Sequence, residues 1–457
     1  MKTAGSDSPI GHQPPVAVVL AAGEGLRLRD AGSTTPKPLL RLAGLSLAER
    51  CVCGLLQAGI RRFVVILGHQ ADRVRSHFEE IGRRRDCEIA FEVAEQWSLG
   101  NGSSTLAARA VVGDRPFLLT MVDHLLSRSM IEAILASPPD AHEIALAIDG
   151  RKEKIFDTAD VTKVCEQDGR VNAIGKDLSE WDAGDTGLFY CTGAIFSALE
   201  RARDEGLHSL TDGVRECIAN GAVRAVDVSG APWLDVDTPE ALREGKRRLR
   251  ASLSKGQDDG FVSQHLNRAI SRPLSMLLAC TPVTPDQITV ASFLLGVLGA
   301  VFLALADSSF WIVGGILIQV ASIVDGCDGE VARLKIRSSA RGGWLDTVLD
   351  RYADTALAFA VTLAATRIDP APWVWIAGCL SAIGFLMTSY TTKEYQIRFE
   401  RPYPNTFVAR IKRRDLRILI VAVGAVVGYP FAALLTVGLL SHASVLWIIC
   451  SAWRDNR

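Results

Sequence analysis

Asp325-Gly326-Cys327-Asp328-Gly329-Glu330-Val331-Ala332-Arg333, followed by Gly342, Asp346 and Asp350, is the stretch on which the architecture turns. An apolar run from Phe310 to Val324 leads into it, and a second from Ala356 to Ala365 leads out. Four carboxylates therefore stand at the ends of two hydrophobic segments of membrane length. A carboxylate in such a place is costly, so a function is the default expectation. Asp325 and Asp328 are three residues apart, and Asp346 and Asp350 are four apart. On helices each pair projects from one face. Two such helices facing each other gather four carboxylates around a cation. Acidic oxygen donors suit Mg²⁺, Mn²⁺ or Ca²⁺ rather than zinc. Gly329, Ala332 and Gly342 are expected to let helix backbones approach closely enough for the carboxylates to share ions.

The spacing Asp-x2-Asp-Gly-x2-Ala-Arg-x8-Gly-x3-Asp-x3-Asp resembles the signature of the CDP-alcohol phosphotransferases, with every fixed position filled. The resemblance implies that Asp325, Asp328, Asp346 and Asp350 bind one or two Mg²⁺ or Mn²⁺ ions. It implies that Asp350 also takes the proton from an acceptor hydroxyl, and that Gly329, Ala332 and Arg333 contact a cytidine diphosphate. Asp354, one turn beyond Asp350, reads either as support for a ligand or as an interhelix hydrogen-bonding group. Arg414 and Arg417 read either as receivers of a phosphate on the acceptor or as cytoplasmic anchors.

The chain has 457 residues, more than one ordinary domain holds. Its apolar share of 48% is unevenly spread. The first half alternates short apolar runs with charged stretches, whereas long apolar segments begin at about Val290. A net charge of -1 gives no general argument for nucleic-acid binding. The ten cysteines are scattered, and Cys51-x-Cys53 has no partner pair, which argues against zinc. The same scatter favours a reducing, cytosolic setting for the soluble half. Met1 to Pro15 is polar, lacks an apolar core and is not read as a signal peptide.

Val16 to Leu20 has the continuous apolar character of a buried parallel strand. Ala21-Ala22-Gly23-Glu24-Gly25 follows, a tight turn whose backbone N–H groups can face a phosphate chain. Arg27 and Lys37, the latter between Pro36 and Pro38, supply cations. Apolar strands and helices then alternate: Leu47–Ala58 helical, Phe63–Leu67 extended, Ala71–Ile81 helical, Phe117–Met121 extended. That order predicts a doubly wound, Rossmann-like α/β sheet with its ligand at the carboxyl ends of the strands. Asp123 lies just past such an end and is a candidate Mg²⁺ ligand, with Asp235 or Asp237 to complete the shell. Thr238 and Pro239 read as a helix start. Gly100, Asn101 and Gly102 sit in a small, polar stretch, Trp97 to Ser104, expected as a loop over the base.

Leu20-Ala21-Ala22-Gly23-x-Gly25-x-Arg27-Leu28 with Pro36-Lys37-Pro38 resembles the opening of the sugar-phosphate nucleotidyltransferases, departing at Leu26, where Thr or Ser is common. Met121-x-Asp123-His124, Asp185-Thr186-Gly187 and Asp235-x-Asp237-Thr238 extend the likeness to the inositol-1-phosphate cytidylyltransferases. This implies CTP and inositol 1-phosphate as substrates, CDP-inositol as product, Lys37 and Arg27 as catalytic cations, and Lys176 or Lys163 as the monophosphate's cation.

Four regions are expected: a tail 1–14, a nucleotidyltransferase domain 15–253, a linker and juxtamembrane amphipathic helix 254–284, and an all-α domain 285–457 with six transmembrane helices. Arg333, Lys335, Arg337 and Arg341 lie in one loop, and Lys393, Arg398, Arg401, Arg410 and Lys412 to Arg414 in another. The positive-inside rule places both loops, both termini and the four-Asp cluster at the cytoplasmic face of a cell membrane. The joined halves resemble the family that pairs inositol-1-phosphate cytidylyltransferase with di-inositol phosphate phosphate synthase. That likeness implies inositol 1-phosphate as the acceptor and a homodimer through the membrane half. A lipid acceptor, or a non-catalytic membrane scaffold or transporter with a nucleotide-binding head, are the competing readings.

Overall fold

The computed structural model describes residues 14–30, 34–254, 262–400 and 413–454. The N-terminal tail, most of the linker Ser254–Gly260, Phe261, Arg401, Arg410 and Lys412 lie outside them. The chain divides into two compact units, Met1–Arg247 and Arg248–Arg457.

The first unit is built on a nine-stranded sheet. Its strands are β1 (Val16–Ala21), β2 (Arg62–Leu67), β3 (Glu88–Val93), β4 (Phe117–Met121), β6 (Ile144–Asp149), β7 (Lys163–Gln167), β8 (Arg170–Gly175), β9 (Ala183–Cys191) and β10 (Val223–Asp227). Two short strands, β5 (His124–Leu126) and β11 (Trp233–Asp235), pair separately and antiparallel. The main order is β3-β2-β1-β4-β9-β6-β10-β8-β7. Strand β1 lies parallel between β2 and β4. Ala17, Val18 and Val19 are fully buried, as a strand covered on both faces requires. Helices α1 (Leu47–Gln57), α2 (Ala71–Arg85), α3 (Asn101–Ala107), α4 (Ala194–Asp204), α5 (Leu210–Ala219) and α6 (Pro239–Ser252) complete what is needed to place the site.

The sheet departs from a purely parallel, Rossmann-like one at β9, which runs antiparallel to β4 and β6. No helix intervenes between Gly175 and Ala183. The reversal is made one connection earlier, by the hairpin between β7 and β8, where Asp168 and Gly169 stand at φ +54° and +78°; β9 keeps the direction of β8 and so runs antiparallel to β7 as well.

The second unit is helical. A π-helical turn (Ser263–Asn267) runs into α7 (Arg268–Ala279). Then come α8 (Pro285–Ala304), α9 (Ser308–Leu334), α10 (Ala340–Ile368), α11 (Pro372–Phe399), α12 (Arg414–Val426) and α13 (Pro430–Arg454). Four of these are long and apolar enough to cross a membrane: α8, α9, α11 and Pro430–Trp453 of α13. The expectation of six spans is met only in helix positions. Helix α10 carries Asp346, Asp350, Arg351 and Asp354, and α12 has 13 residues where about 20 are needed. Gly428, at φ +88°, makes the turn from α12 into α13.

Two sequence expectations about packing change. The close helix crossings are not at Gly329 or Gly342. An added Cβ at Gly315 would stand 2.7 Å from the Ala422 carbonyl, and one at Gly314 2.8 Å from the Gly299 carbonyl, whereas at Gly329 it would meet only the Arg333 side chain at 3.5 Å. Helix α7 is amphipathic in the opposite sense to an exposed basic helix. It buries Arg268, Ser271 and Ser275 and exposes Ile270 and Leu277.

Candidate active sites

In the first unit the site forms where β1, β4 and β11 end. The turn after β1 passes Gly25, whose φ of +68° a side chain would strain. A Cβ at Gly25 would stand 3.1 Å from the Lys37 side chain, so the glycine turn and the Pro-Lys-Pro segment fit together. Lys37 is buried and bridges the carboxylates of Asp123 and Asp237. Asp123 Oδ1 accepts from His124 Nδ1 at 2.7 Å. Asp235 stands opposite His124 in the β5–β11 register. Gly187, at φ +72°, leaves the room in which the His124 ring sits.

Asp123, His124 and Asp235 thus form a group whose donor atoms lie within 4.8 Å of one another. Burial alone would raise the Asp123 carboxyl, but Lys37 and His124 outweigh it and hold the group well below the usual carboxylate range. Burial disfavours the imidazolium of His124, yet Asp235 and Asp123 lift it to about 9. Asp235 is raised, chiefly by burial, and its Oδ1 is buried without a hydrogen-bond partner among the described residues. An orphaned, buried carboxylate oxygen beside a second carboxylate is a donor set that fits a hard divalent cation. Of the two alternatives read from sequence, Asp235 stands in this group, while Asp237 is taken by Lys37 and lies 3.6 Å from Arg27. Thr238 Oγ1 accepts from the Ala241 N–H, so the helix-start reading of Thr238-Pro239 also holds.

Arg27 is held by a residue that sequence reasoning missed. Asp160 accepts from both of its terminal nitrogens, at 2.5 and 3.1 Å, and from Lys176 Nζ at 2.6 Å. Two cations from distant parts of the chain converge on one carboxylate; a lone Asp in a loop gives no sequence signal of this. Lys163 is instead turned to the Leu178 carbonyl at 3.1 Å. The expected base-covering loop is not a loop. Trp97–Leu99 is a 3₁₀ turn and Asn101 opens α3. Asn101 Oδ1 accepts from the Leu210 N–H at 2.7 Å, meeting an otherwise open donor at the start of α5. A Cβ at Gly100 or Gly102 would stand 2.6 Å from the His208 carbonyl, so both glycines serve a close backbone approach.

In the second unit Asp325 and Asp328 from α9 and Asp346 from α10 bring carboxylate oxygens within 4.8 Å of one another. Helix α8 supports them: Thr289 Oγ1 donates to Asp328 at 2.6 Å and Ser292 Oγ to Asp325 at 3.4 Å. Three carboxylates from two helices are again a donor set suited to Mg²⁺ or Mn²⁺. Asp350 lies beside this group and is engaged by Arg414, whose Nη1 is 2.8 Å from Asp350 and 3.1 Å from Asp325. Arg414 Nε reaches Asp354 at 2.9 Å, which makes Asp354 an interhelix ion-pair partner. Arg417 stands one turn beyond Arg414 on α12. It is buried, its guanidinium lies over the Phe385 ring at 5.0 Å, and Nη1 donates to the Phe385 carbonyl. Arg333 Nη2 reaches the Leu253 carbonyl at 3.2 Å, while Gly329 and Ala332 are half-buried on the same stretch of α9. A small cavity of about 30 Å³ opens beside Asp325, Asp350 and Arg414, with Phe293, Ile318 and Leu357 in its apolar wall.

A mixed sheet with a proline-held lysine and an acidic group at its strand ends, joined to helices that gather signature aspartates, defines a nucleotidyltransferase coupled to a CDP-alcohol phosphotransferase. Residues 17–218 match the MobA-like NTP transferase domain family, and residues 282–451 the CDP-alcohol phosphatidyltransferase family. A protein of Rubrobacter xylanophilus, the bifunctional IPC transferase and DIPP synthase, is 38% identical over 95% of this chain and 96% of its own. The protein of the same name from Thermococcus kodakarensis is 37% identical over 85% of this chain and 84% of its own. The inositol-1-phosphate CTP transferase structure from T. maritima covers 52% of this chain and 98% of its own at 25% identity, with a TM-score of 0.46. The chain belongs to the family of bifunctional IPC transferases and DIPP synthases.

Proposed function

We propose that the chain carries out two successive phosphoryl-group reactions. In the first, a phosphate oxygen of inositol 1-phosphate attacks the α-phosphorus of CTP, giving CDP-inositol and pyrophosphate. In the second, a hydroxyl of another inositol 1-phosphate attacks the inositol-side phosphorus of CDP-inositol. Di-inositol phosphate phosphate forms and CMP leaves. The observation that carries the reading is the extent of likeness, with both signatures intact, to relatives whose names state both activities.

In the first unit the N–H groups after Ala21 and Ala22, through Gly23 and Gly25, cradle the CTP phosphates. Lys37 and Arg27 meet the charge that grows on the departing pyrophosphate. Lys176 holds the incoming monophosphate. In the second unit Asp350 takes the proton of the attacking hydroxyl, and Arg414 turns to a phosphate on the substrate. Mg²⁺ or Mn²⁺ at Asp123 and Asp235, and at Asp325, Asp328, Asp346 and Asp350, would draw charge from the phosphates and steady the leaving groups. We assign the nucleotidyltransferase to residues 15–253 and the transferase to residues 285–457. The second unit lies in a bilayer as a homodimer, as the family resemblance implies, with both sites toward the cytoplasm; the orientation is supported by Arg333, Lys335, Arg337 and Arg341, which lie in or beside the short connection between the two helices that carry the aspartates.

The test is mass spectrometry of the products from CTP, Mg²⁺ and inositol 1-phosphate. CDP-inositol, CMP and a di-inositol species are expected. Feeding CDP-inositol with either inositol 1-phosphate or a diacyl lipid identifies the acceptor. CMP formed only with the lipid would overturn the second step, and no CDP-alcohol from any phosphorylated polyol would overturn the first.

A further inference from the structure

Glu330 lies within the signature stretch but at none of its fixed positions, and it is fully buried. Its Oε1 accepts from Arg268 Nη1 at 2.5 Å and from Ser271 Oγ at 2.9 Å. Its Oε2 has no hydrogen-bond partner among the described residues. The same Arg268 Nη1 donates to the carbonyl of Gly326 at 3.2 Å. Gly326 lies between the two candidate ligands of α9, and a Cβ there would stand 3.1 Å from that nitrogen. One buried guanidinium thus grips both the turn that carries Asp325 and Asp328 and the acid just beyond it.

The grip extends along α7. Asn267 takes a hydrogen bond from Gln319 at 3.0 Å and gives one to Ser322 at 3.3 Å, one turn before Asp325. The Ser263 N–H, at the start of this helical segment, donates to Asp415 at 2.7 Å, and Asp415 is the neighbour of Arg414. Apolar packing would seat a helix of this size without placing a charge pair in the interior. Removing either partner strands the other, so the pair fixes one register of α7 against α9.

We infer that Arg268 and Glu330 are positioning residues for the transferase. They hold the Asp325–Asp328 turn of α9 in the orientation that gathers a divalent cation. This rests on the proposed second reaction. Neither residue touches substrate; each acts through the carboxylates of α9, as groups behind metal ligands do elsewhere.

The test uses the full chain in detergent with Glu330→Gln, which keeps the shape and removes the charge, and Arg268→Met. Mn²⁺ alone is titrated and the bound ion counted by electron paramagnetic resonance, with Asp328→Asn giving the background of the first unit. The metal concentration for half-maximal CMP release from CDP-inositol is measured alongside; the thermal midpoint of the detergent-solubilised chain serves as the control of folding, and pyrophosphate release from CTP as the control of the first unit. Both variants are expected to weaken Mn²⁺ binding and raise the half-maximal metal concentration by about tenfold or more, with pyrophosphate release unchanged. A shift below about fivefold in Mn²⁺ binding would overturn the inference, whatever happens to turnover. Should either single variant fail to fold, Arg268→Met with Glu330→Leu removes both charges at little cost in stability and is judged by the same threshold. Wild type that binds Mn²⁺ yet releases no CMP would sink the proposed second reaction instead.

Discussion

Asp160 is the residue on which Arg27 and Lys176 converge. Replacing it by Asn removes the charge that orients them, and kcat/KM for inositol 1-phosphate is expected to fall about three- to tenfold. The effect is held to that size because a third of the Asp160 side chain is exposed and solvent screens the pairs. Steady-state pyrophosphate release measures it, and an unchanged value would remove Asp160 from the site. Lys37→Met bears on turnover instead. It is expected to lower kcat of the first reaction about 100-fold while KM for CTP rises much less, because the cation meets charge that develops in the transition state. Equal losses in both would mean that Lys37 only binds. Much of this site is legible in the chain: the glycine turn, Pro36-Lys37-Pro38 and Asp123 each carry a recognisable pattern. Asp160 does not, and the division of labour between Asp235 and Asp237 does not either. Both depend on where a distant loop folds back.

Helices α9 and α12 cross where Gly315 faces the Ala422 carbonyl. Gly315→Leu should force them apart, costing about 1–3 kcal/mol and drawing Arg414 away from Asp325 and Asp350. CMP release should fall with the thermal midpoint of the detergent-solubilised chain, whereas pyrophosphate release persists. Gly343→Ala is the contrasting change. A Cβ there has nothing within 4 Å, so it should stabilise α10 by about 0.5–1 kcal/mol and leave both activities in place. Element positions were readable because apolar runs of different length separate strands from membrane helices. The crossing points were not. Gly315 and Gly329 look alike in sequence, and only the helix packing shows which one a neighbouring backbone approaches.

The two units carry separable chemistry on one chain. Asp350→Asn should abolish CMP release while CTP is still consumed, so that CDP-inositol accumulates. Mass spectrometry of the reaction mixture checks this, and continued formation of the di-inositol product would remove Asp350 from its role as base. The sequence by itself determined that two enzymes are joined, which families they resemble, and that Asp325 with Asp328 and Asp346 with Asp350 each share one helix face, because these follow from spacing along the chain. Only the tertiary structure decided that β9 runs antiparallel to β4 and β6, that α7 turns its arginine inward to Glu330, and that Arg414 rather than Arg417 meets the acidic cluster. Those facts depend on contacts between residues tens of positions apart, and local periodicity carries no record of such pairings.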